Sequence, residues 1–358
     1  MTEAGLLLPL LNTINMRMRT TLITVLILFM GSCIKEPVDS GNVNVSAKDS
    51  RVAVLCEGNF MWNNAQLDIY NPDSNALWSN AFEAVNNRPI GDVLQSGLLY
   101  GNTLWLVVNN SGLIVGLNPQ TLKVKHQVNV GKSPRFAAAF KGKLYISDLE
   151  NNAVTVLDTQ SLGTRTLPVR KNATGTRVGW TEHIIEYNNF IVSAVYDGYL
   201  WVYDPQTDIS KLFTCPKGTQ FLSIDAQNRL WVGASDADSS SLTCLNADFR
   251  VTERVEFPKE NNLTRMCGSV TGDSLWLLVG GELECRNLRN PRVAIKKVVP
   301  YTVGYGLGVN PYNGDVYVSD AYDYIRKGRV VGLNAGGDSI KYSFFSGIIP
   351  ASFVFLPR

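Results

Sequence analysis

The chain has 358 residues, of which 45% are hydrophobic and 18% are charged, and its formal net charge is +2. This composition is typical of a globular protein with a large core and excludes a disordered chain. The small net charge and the lack of a long basic tract exclude the extended basic surface that nucleic-acid binding requires, so we expect no nucleic-acid partner.

The first segment of the chain predicts an export signal. A short basic stretch at residues 16–19 precedes the apolar run TLITVLILFM, which is shorter than the ~18 residues that a membrane-spanning helix requires. The run ends in Gly31-Ser32-Cys33, and small residues before a cysteine resemble a bacterial lipoprotein signal. We therefore predict that residues 1–32 are a lipoprotein signal peptide and that Cys33 is lipidated. An ordinary cleaved signal is the alternative. Residues 33–50 are predicted to form a flexible tether.

A repeat occupies the chain from residue 51 onward. Short apolar runs are followed by a turn that begins with Asn or Asp at positions 71, 118, 158, 204, 246, 287 and 334. By subtraction the spacings are 47, 40, 46, 42, 41 and 47 residues, and β-rich units with a period in the low forties are typical of propeller blades. Strand-like runs such as TLWLVV and DVYVSD follow tight-turn signals such as YGN and YNGD. We predict an all-β fold, a seven-bladed β-propeller of four-stranded blades over residues 51–358, with no long helix.

The two ends of the repeat predict how the ring closes. RVAVLCEGN at the start matches the second strand of a blade, and SFVFLPR at the end matches a first strand. The C-terminal strand is therefore expected to pair with the N-terminal strands. Such closure protects the exposed edges of the sheets.

The connections between strands divide into two faces. Tight turns join the first strand of a blade to the second, and the third to the fourth; we call their side the turn face. The other connections are longer and rich in Trp, Tyr, Arg, Asp and Asn, and we call their side the loop face. Long loops on a rigid scaffold usually carry the functional site, so we place the site on the loop face.

The loop-face segments resemble a known family. CEGNF, RPIGDVLQS, VVNNSG, GWTE and DAYDYIRKG are similar to segments of the seven-bladed, YVTN-like propeller lipoproteins of Bacteroides-type bacteria. The resemblance extends from about residue 51 to the end of the chain. It implies a lipid-anchored protein on the outer-membrane surface that captures cobalamin or a related corrinoid and passes it to a TonB-dependent transporter. We expect cobalamin as a ligand and no prosthetic group.

The predicted ligand site consists of aromatic and polar side chains on these loops. Exposed aromatic rings can stack on a flat macrocycle, and polar groups can match the peripheral amides of a corrinoid. The predicted ligand-binding residues are Phe60, Trp62, Asn63, Arg88, Asp92, Gln95, Asn110, Arg135, Trp180, Glu182, Tyr196, Asp197, Tyr322 and Tyr324. Each has a structural alternative, because aromatic rings can fill gaps between blades and polar groups can hold loop backbone.

Other conspicuous residues are interpreted as structural. Four tryptophans within strands are predicted to lie in the core, and two aspartates that end strands are predicted to bind loop backbone; these are Trp105, Trp201, Trp231, Trp276, Asp148 and Asp320. The five cysteines after Cys33 have no metal-binding spacing and are expected to be mostly buried thiols, with one disulfide left open. Of the two histidines, His183 is the better functional candidate and His126 lies in an outer strand.

Signs of catalysis are weak. The chain contains no GxSxG, P-loop or HExxH motif, and we predict no catalytic residues and no metal site. Two alternatives to ligand capture stay open. One is an interaction scaffold without a small ligand. The other is a lactonase-like hydrolase in which Glu57, Glu182 and Asp320 gather near the channel to hold a metal ion.

Overall fold

The computed structural model describes residues 51–171, 178–258, 260–297, 299 and 303–357. The predicted signal peptide, the predicted lipidation site Cys33 and the predicted tether lie outside the described residues. Within these ranges, no helix is long and apolar enough to cross a lipid bilayer.

Seven four-stranded antiparallel sheets form a seven-bladed β-propeller, which confirms the predicted fold. Strands are given from the first to the last in each sheet. Blade 1 contains β28 (Pro350–Leu356), β1 (Arg51–Cys56), β2 (Gln66–Asn71) and β3 (Ala76–Trp78); blade 2 contains β4 (Leu94–Tyr100), β5 (Thr103–Val108), β6 (Leu113–Leu117) and β7 (Val124–Asn129); blade 3 contains β8 (Pro134–Phe140), β9 (Lys143–Asp148), β10 (Ala153–Asp158) and β11 (Thr164–Pro168); blade 4 contains β12 (Thr181–Tyr187), β13 (Phe190–Val195), β14 (Tyr199–Asp204) and β15 (Ile209–Thr214). Blade 5 contains β16 (Thr219–Ile224), β17 (Leu230–Ser235), β18 (Ser240–Leu245) and β19 (Val251–Phe257); blade 6 contains β20 (Leu263–Gly268), β21 (Ser274–Val279), β22 (Glu282–Asn287) and β23 (Ile295–Lys297); blade 7 contains β24 (Gly304–Val309), β25 (Val316–Asp320), β26 (Lys327–Leu333) and β27 (Ile340–Ile348).

The first strand of each sheet lies innermost. These seven strands contact one another in a closed cycle, β28 to β4, β8, β12, β16, β20, β24 and back to β28, and therefore surround a central channel. The second strands are packed between neighbouring blades, and every residue of β5 is buried. Apolar residues on both faces of such a strand explain runs like TLWLVV. The predicted core tryptophans, Trp105, Trp201, Trp231 and Trp276, are all buried.

The Asn and Asp residues that mark the repeat all accept hydrogen bonds from backbone N–H groups of the turn that follows. In six blades the side-chain oxygen accepts a hydrogen bond from the backbone N–H two residues later, at 2.8 to 3.1 Å. In blade 7, Asn334 accepts instead from the backbone N–H of Asp338 at 2.8 Å. Such a side chain replaces a backbone turn contact, so the repeated residue shapes the turn face and has a structural role.

The ring closes as predicted, through β28 and β1, where Val52 is opposite Phe355 and Val54 is opposite Phe353. A second link lies between blades 1 and 7. There the buried carboxylate of Asp68 accepts hydrogen bonds from Ser346 Oγ at 2.6 Å and from the backbone N–H of Gly347 at 3.0 Å. Burial raises the pKa of Asp68.

Two features go beyond the sequence predictions. A six-residue helix, α1 (Ala81–Asn86), joins β3 to β4 and buries Ala81 and Phe82; it is too short to show a helical periodicity in the sequence. All five cysteines in the described part of the chain are unpaired, so the disulfide that the sequence left open is not formed among them.

Candidate functional site

A β-bulge interrupts the first strand of every blade close to its loop-face end. In each case the strand register shifts at the second residue of the strand, and these residues are Gln95, Arg135, Glu182, Gln220, Thr264, Tyr305 and Ala351. We call this set the bulge ring. Bulges re-aim side chains and are common beside active sites. The loop-face entrance of the channel is therefore surrounded by seven equivalent, irregular positions.

A cavity of about 100 Å³ lies at this entrance, and five members of the bulge ring line it together with Arg265, His183 and residues of β28. Three residues of the predicted ligand set, Gln95, Arg135 and Glu182, belong to this lining. Gln220, Tyr305 and Arg265 are not among the residues predicted from the sequence. Gln220 and Tyr305 lie at the same place in the repeat as Gln95 and Arg135, the second residue of a first strand, and Arg265 lies one residue further along its strand.

A chain of hydrogen bonds runs through one side of the bulge ring. Arg135 Nε donates to Glu182 Oε2 at 3.0 Å, and its Nη1 donates to Gln95 Oε1 at 2.5 Å. Gln95 Nε2 donates to Glu57 Oε1 at 3.3 Å, and Tyr305 OH donates to Glu57 Oε2 at 2.9 Å. The chain joins blades 4, 3, 2, 1 and 7, so this side of the entrance is closed by its own contacts.

Glu57 is the carboxylate that links Gln95 to Tyr305 in this hydrogen-bond network. It follows the last residue of β1, and burial raises its pKa, an effect partly offset by the nearby Arg265 and by the hydrogen bond from Tyr305. Burial also raises the pKa of Tyr305. From the sequence, Glu57 is predicted to have a role only in the hydrolase alternative, as a metal ligand.

His183 lies next to Glu182 and also lines the cavity. Its Nδ1 accepts a hydrogen bond from the backbone N–H of Leu222 at 3.1 Å, and burial lowers the pKa of His183 to about 4. The neutral ring therefore carries its proton on Nε2. His126 has a different environment, because it stacks on Trp105 with ring centroids 5.5 Å apart.

Exposed apolar side chains border the entrance at blades 1 and 7. Phe60, Met61 and Trp62, in the loop between β1 and β2, are 63%, 77% and 75% exposed. Tyr324 and Ile325, in the loop between β25 and β26, are 49% and 72% exposed. Asn59 Nδ2 donates to the backbone carbonyl of Tyr324 at 2.6 Å and connects the two loops. We call these five apolar residues the apolar rim; exposed groups of this kind mark binding surfaces.

The apolar rim is joined to the bulge ring through two tyrosines. The ring of Tyr324 meets the ring of Tyr305 edge to face, with centroids 5.6 Å apart. Two other predicted residues support the rim. Asp92 is buried, and its Oδ2 accepts from the backbone N–H of Met61 at 2.7 Å and from Asn110 Nδ2 at 2.6 Å. Asp92 therefore positions the rim loop, which is the structural alternative to ligand binding for this residue.

A second aromatic group lies on blade 4. Trp180 is 48% exposed and packs against Tyr196, with ring centroids 5.0 Å apart. Asp197 Oδ2 accepts from the backbone N–H of Gly179 at 2.8 Å and fixes the approach to Trp180. In the ring of seven blades, blade 4 is three positions from blade 1 and three from blade 7. The two aromatic groups therefore lie on opposite sides of the ring of blades.

The remaining predicted residues are placed differently. Arg88 lies against the outer strand β7, where its Nη2 donates to Gln127 Oε1 at 2.7 Å. The guanidinium of Arg326 lies over the ring of Tyr322. The ring centroids of Tyr322 and of Phe345, on the outer strand β27, are 6.4 Å apart. Asn63 is exposed in the loop between β1 and β2, with a φ of 53°. The structure does not bring Arg88 and Tyr322 into the channel entrance.

The carboxylates proposed for a metal-dependent alternative do not form a cluster. Across the described ranges there is no group of three or more His, Cys, Asp or Glu side chains that could hold a metal ion. Glu57 and Glu182 are separated by Gln95 and Arg135, and Asp320 Oδ1 accepts from the backbone N–H of Tyr322 at 2.7 Å. Asp148 likewise accepts from the backbone N–H groups of Lys132 at 3.0 Å and of Glu150 at 2.8 Å. Both aspartates have the predicted structural role.

No protein-family model matches the chain. No curated protein matches it by sequence.

Solved structures share the fold. A quinoprotein alcohol dehydrogenase-like protein from Bacteroides thetaiotaomicron has a TM-score of 0.65 at 13% identity, covering 86% of this chain and 78% of that one. A putative 6-phosphogluconolactonase from Bacteroides fragilis has a TM-score of 0.62 at 8% identity, covering 88% of this chain and 100% of that one. AztD from Citrobacter koseri, in its apo form, has a TM-score of 0.62 at 9% identity, covering 86% and 98%. At these identities the likeness shows a seven-bladed propeller and carries no catalytic role to this chain.

Proposed function

We propose that this protein captures cobalamin or a related corrinoid on its loop face and delivers it to a TonB-dependent outer-membrane transporter. In this proposal the chain is anchored by lipid at Cys33 to the outer membrane, on the cell surface, and has no catalytic activity. One observation carries the proposal: exposed aromatic side chains stand on opposite sides of a polar channel entrance. The resemblance of the loop segments to corrinoid-binding lipoproteins supports the choice of ligand.

The dimensions of the entrance define how such a ligand would bind. A cavity of about 100 Å³ is smaller than the roughly 300 to 1,000 Å³ of sites that enclose a drug-sized ligand, and cannot admit a macrocycle. The corrin ring would therefore lie across the entrance, between the apolar rim and Trp180. Its peripheral amides would face Gln95, Arg135 and Glu182, which offer both donors and acceptors.

Calorimetric titration of cyanocobalamin into a chain that begins after Cys33 tests the proposal directly. This chain keeps the closed ring of blades. We expect saturable one-to-one binding with sub-micromolar affinity, about −8 kcal/mol or better. Absence of heat, together with an unchanged corrinoid absorption spectrum, would refute corrinoid capture.

The two exposed tryptophans provide a sharper test. We expect the double variant Trp62→Ala/Trp180→Ala to bind cyanocobalamin about 100-fold more weakly, because each indole would contribute ~1.4 kcal/mol of stacking and burial. Titration calorimetry measures the change. Tyr312→Ala is the matched control, since Tyr312 is 55% exposed but lies in the turn between β24 and β25 on the turn face. Unaltered affinity in the double variant would remove both tryptophans from the site.

A protein-interaction scaffold is the second candidate, favoured by the apolar tips of the rim. Met61 and Ile325 are 77% and 72% exposed, as expected for residues that dock on another protein. A scaffold would co-purify with its partner whether or not corrinoid is present and would give no heat with cyanocobalamin. Corrinoid-dependent behaviour in both assays supports capture instead.

A further inference from the structure

The bulge ring is closed by its own hydrogen bonds on one side only. The chain from Glu182 to Tyr305 runs through blades 4, 3, 2, 1 and 7. The other side, at blades 5 and 6, contains the ring members Gln220 and Thr264. Gln220, Arg265 (the residue after Thr264) and His183 of blade 4 line the cavity at the channel entrance.

Arg265 has unused hydrogen-bonding capacity. Its Nη1 donates to the backbone carbonyl of Thr264 at 2.7 Å, and its guanidinium lies 4.9 Å from the centroid of the Tyr305 ring. In the described part of the chain, no carboxylate forms an ion pair with it, whereas Arg135 is paired with Glu182. A guanidinium carries five N–H donors in a planar fork that matches carboxylate and phosphate oxygens. The remaining donors of Arg265 are therefore available at the cavity.

His183 and Gln220, beside Arg265, add one hydrogen-bond donor and one acceptor to the lining of the cavity. Because His183 accepts at Nδ1 from Leu222, its ring donates from Nε2. Gln220 Nε2 donates to the backbone carbonyls of Gly218 at 3.3 Å and Ser235 at 2.8 Å, so its Oε1 is left as an acceptor. The side of the entrance at blades 5 and 6 therefore offers a cationic donor, Arg265, a neutral donor, His183 Nε2, and one acceptor, Gln220 Oε1.

We propose that this side of the channel entrance is an oxyanion site, in which Arg265 and His183 bind a carboxylate or phosphate group and Gln220 accepts from a neighbouring hydroxyl or N–H of the same ligand. The cavity has room for one such group. The nearby acids are engaged by the closed side of the ring: Glu182 is paired with Arg135, and both oxygens of Glu57 accept hydrogen bonds, from Gln95 and from Tyr305. The inference rests on the lining of the channel and does not require that the ligand be a corrinoid.

Inorganic phosphate alone is the first probe, titrated into the wild-type protein and followed by calorimetry. We expect saturable millimolar binding that is about 10-fold weaker in Arg265→Gln and of intermediate strength in Arg265→Lys, which keeps the charge but loses the fork. Arg254→Gln is the control, since Arg254 pairs with Glu256 on the outer strand β19, and it should bind phosphate like the wild type. Thermal unfolding verifies that each variant is folded. Absence of saturable binding to the wild type, or equal binding by Arg265→Gln, would overturn the inference.

The source of the oxyanion is distinguished by comparing cyanocobalamin with cobinamide, which lacks the phosphodiester-linked nucleotide. If the site receives the phosphodiester of a larger ligand, Arg265→Gln weakens cyanocobalamin binding and leaves cobinamide unchanged. If it receives a free anion, only phosphate binding weakens. Both results support the site. Corrinoid binding without phosphate binding would overturn the oxyanion site alone, and the converse would overturn corrinoid capture alone.

Discussion

Two ionisable side chains at the channel entrance have pKa values that burial shifts in opposite directions. Burial raises the pKa of Glu57 and lowers that of His183, because each is favoured in its uncharged form. The effects on stability therefore have opposite signs. Folding favours protonated Glu57, so the contribution of Glu57 to the free energy of unfolding falls as pH rises through its raised pKa. Folding favours neutral His183, so the contribution of His183 to the free energy of unfolding falls as pH decreases below its ordinary pKa.

The variant His183→Asn tests this at the residue scale. The ordinary pKa of 6.5 is lowered to about 4 in the folded protein. Between these values the unfolded chain binds more protons, and the wild type should lose up to roughly 3 kcal/mol of unfolding free energy as pH falls through this window. Asparagine keeps an acceptor for the N–H of Leu222 but does not titrate, so its pH dependence should be shallower. Urea unfolding at several pH values measures the difference; identical slopes would contradict it.

At the scale of the element, the blades combine a constant turn with a variable bulge. The turn between third and fourth strands repeats one Asn or Asp contact, because the backbone needs the same acceptor each time. The bulge near the start of the first strand also recurs, but its side chain changes from Gln to Arg, Glu, Thr, Tyr or Ala. The backbone of the bulge is common to all blades, and the chemistry at the entrance differs from one blade to the next.

Asn118 provides a test of the constant turn. Its Oδ1 accepts from the backbone N–H groups of Gln120 and Thr121, both at 2.9 Å. Asn118→Ala should lower the unfolding free energy by about 1 kcal/mol, because two turn donors lose their acceptor. Asn118→Asp keeps the acceptor and should unfold like the wild type. Thermal unfolding compares the three proteins, and equal midpoints for Ala and Asp would show that the contact does not stabilise the turn.

At the scale of the whole molecule, stability depends on closing the ring. Strand β28 must find β1 at the other end of the described chain, and the Asp68–Ser346 contact joins the blades beside that closure. Both contacts join residues about 280 or more positions apart in sequence, as the separation of 278 for Asp68 and Ser346 shows, so forming them costs loop-closure entropy.

Ser346→Ala tests the contribution of this seam. The buried Asp68 would lose one of its donors, and we expect the unfolding free energy to fall by ~1 to 3 kcal/mol. Ser352→Ala is the control, because Ser352 is half-buried on the channel side of β28 and should tolerate the change. Urea unfolding followed by tryptophan fluorescence measures both variants. A loss of stability no larger for Ser346→Ala than for Ser352→Ala would contradict a role for the seam.

Much of the fold could be predicted because its signals are local and repeated. The Asn and Asp turns, the apolar second strands and the split first blade lie within short segments, and each confirmed feature follows from the needs of a turn, a buried strand or an unpaired edge. The site was less predictable. Gln95, Arg135, Glu182 and Arg88 are all predicted as ligand-binding residues because they lie in or next to loop-face segments. The first three line the cavity, whereas Arg88 lies against β7.

The sequence by itself determined the number of blades, the way the ring closes and which face carries the long loops, because each depends on a pattern that recurs along the chain. Only the tertiary structure decided which side chains meet at the channel entrance. Glu57, Tyr305 and Arg265 lie far apart in sequence and converge because the strands that carry or precede them meet around one axis, at the loop-face end of the channel. Whether a polar residue holds a loop or faces a ligand depends on the neighbours that this convergence supplies, and no local pattern records them.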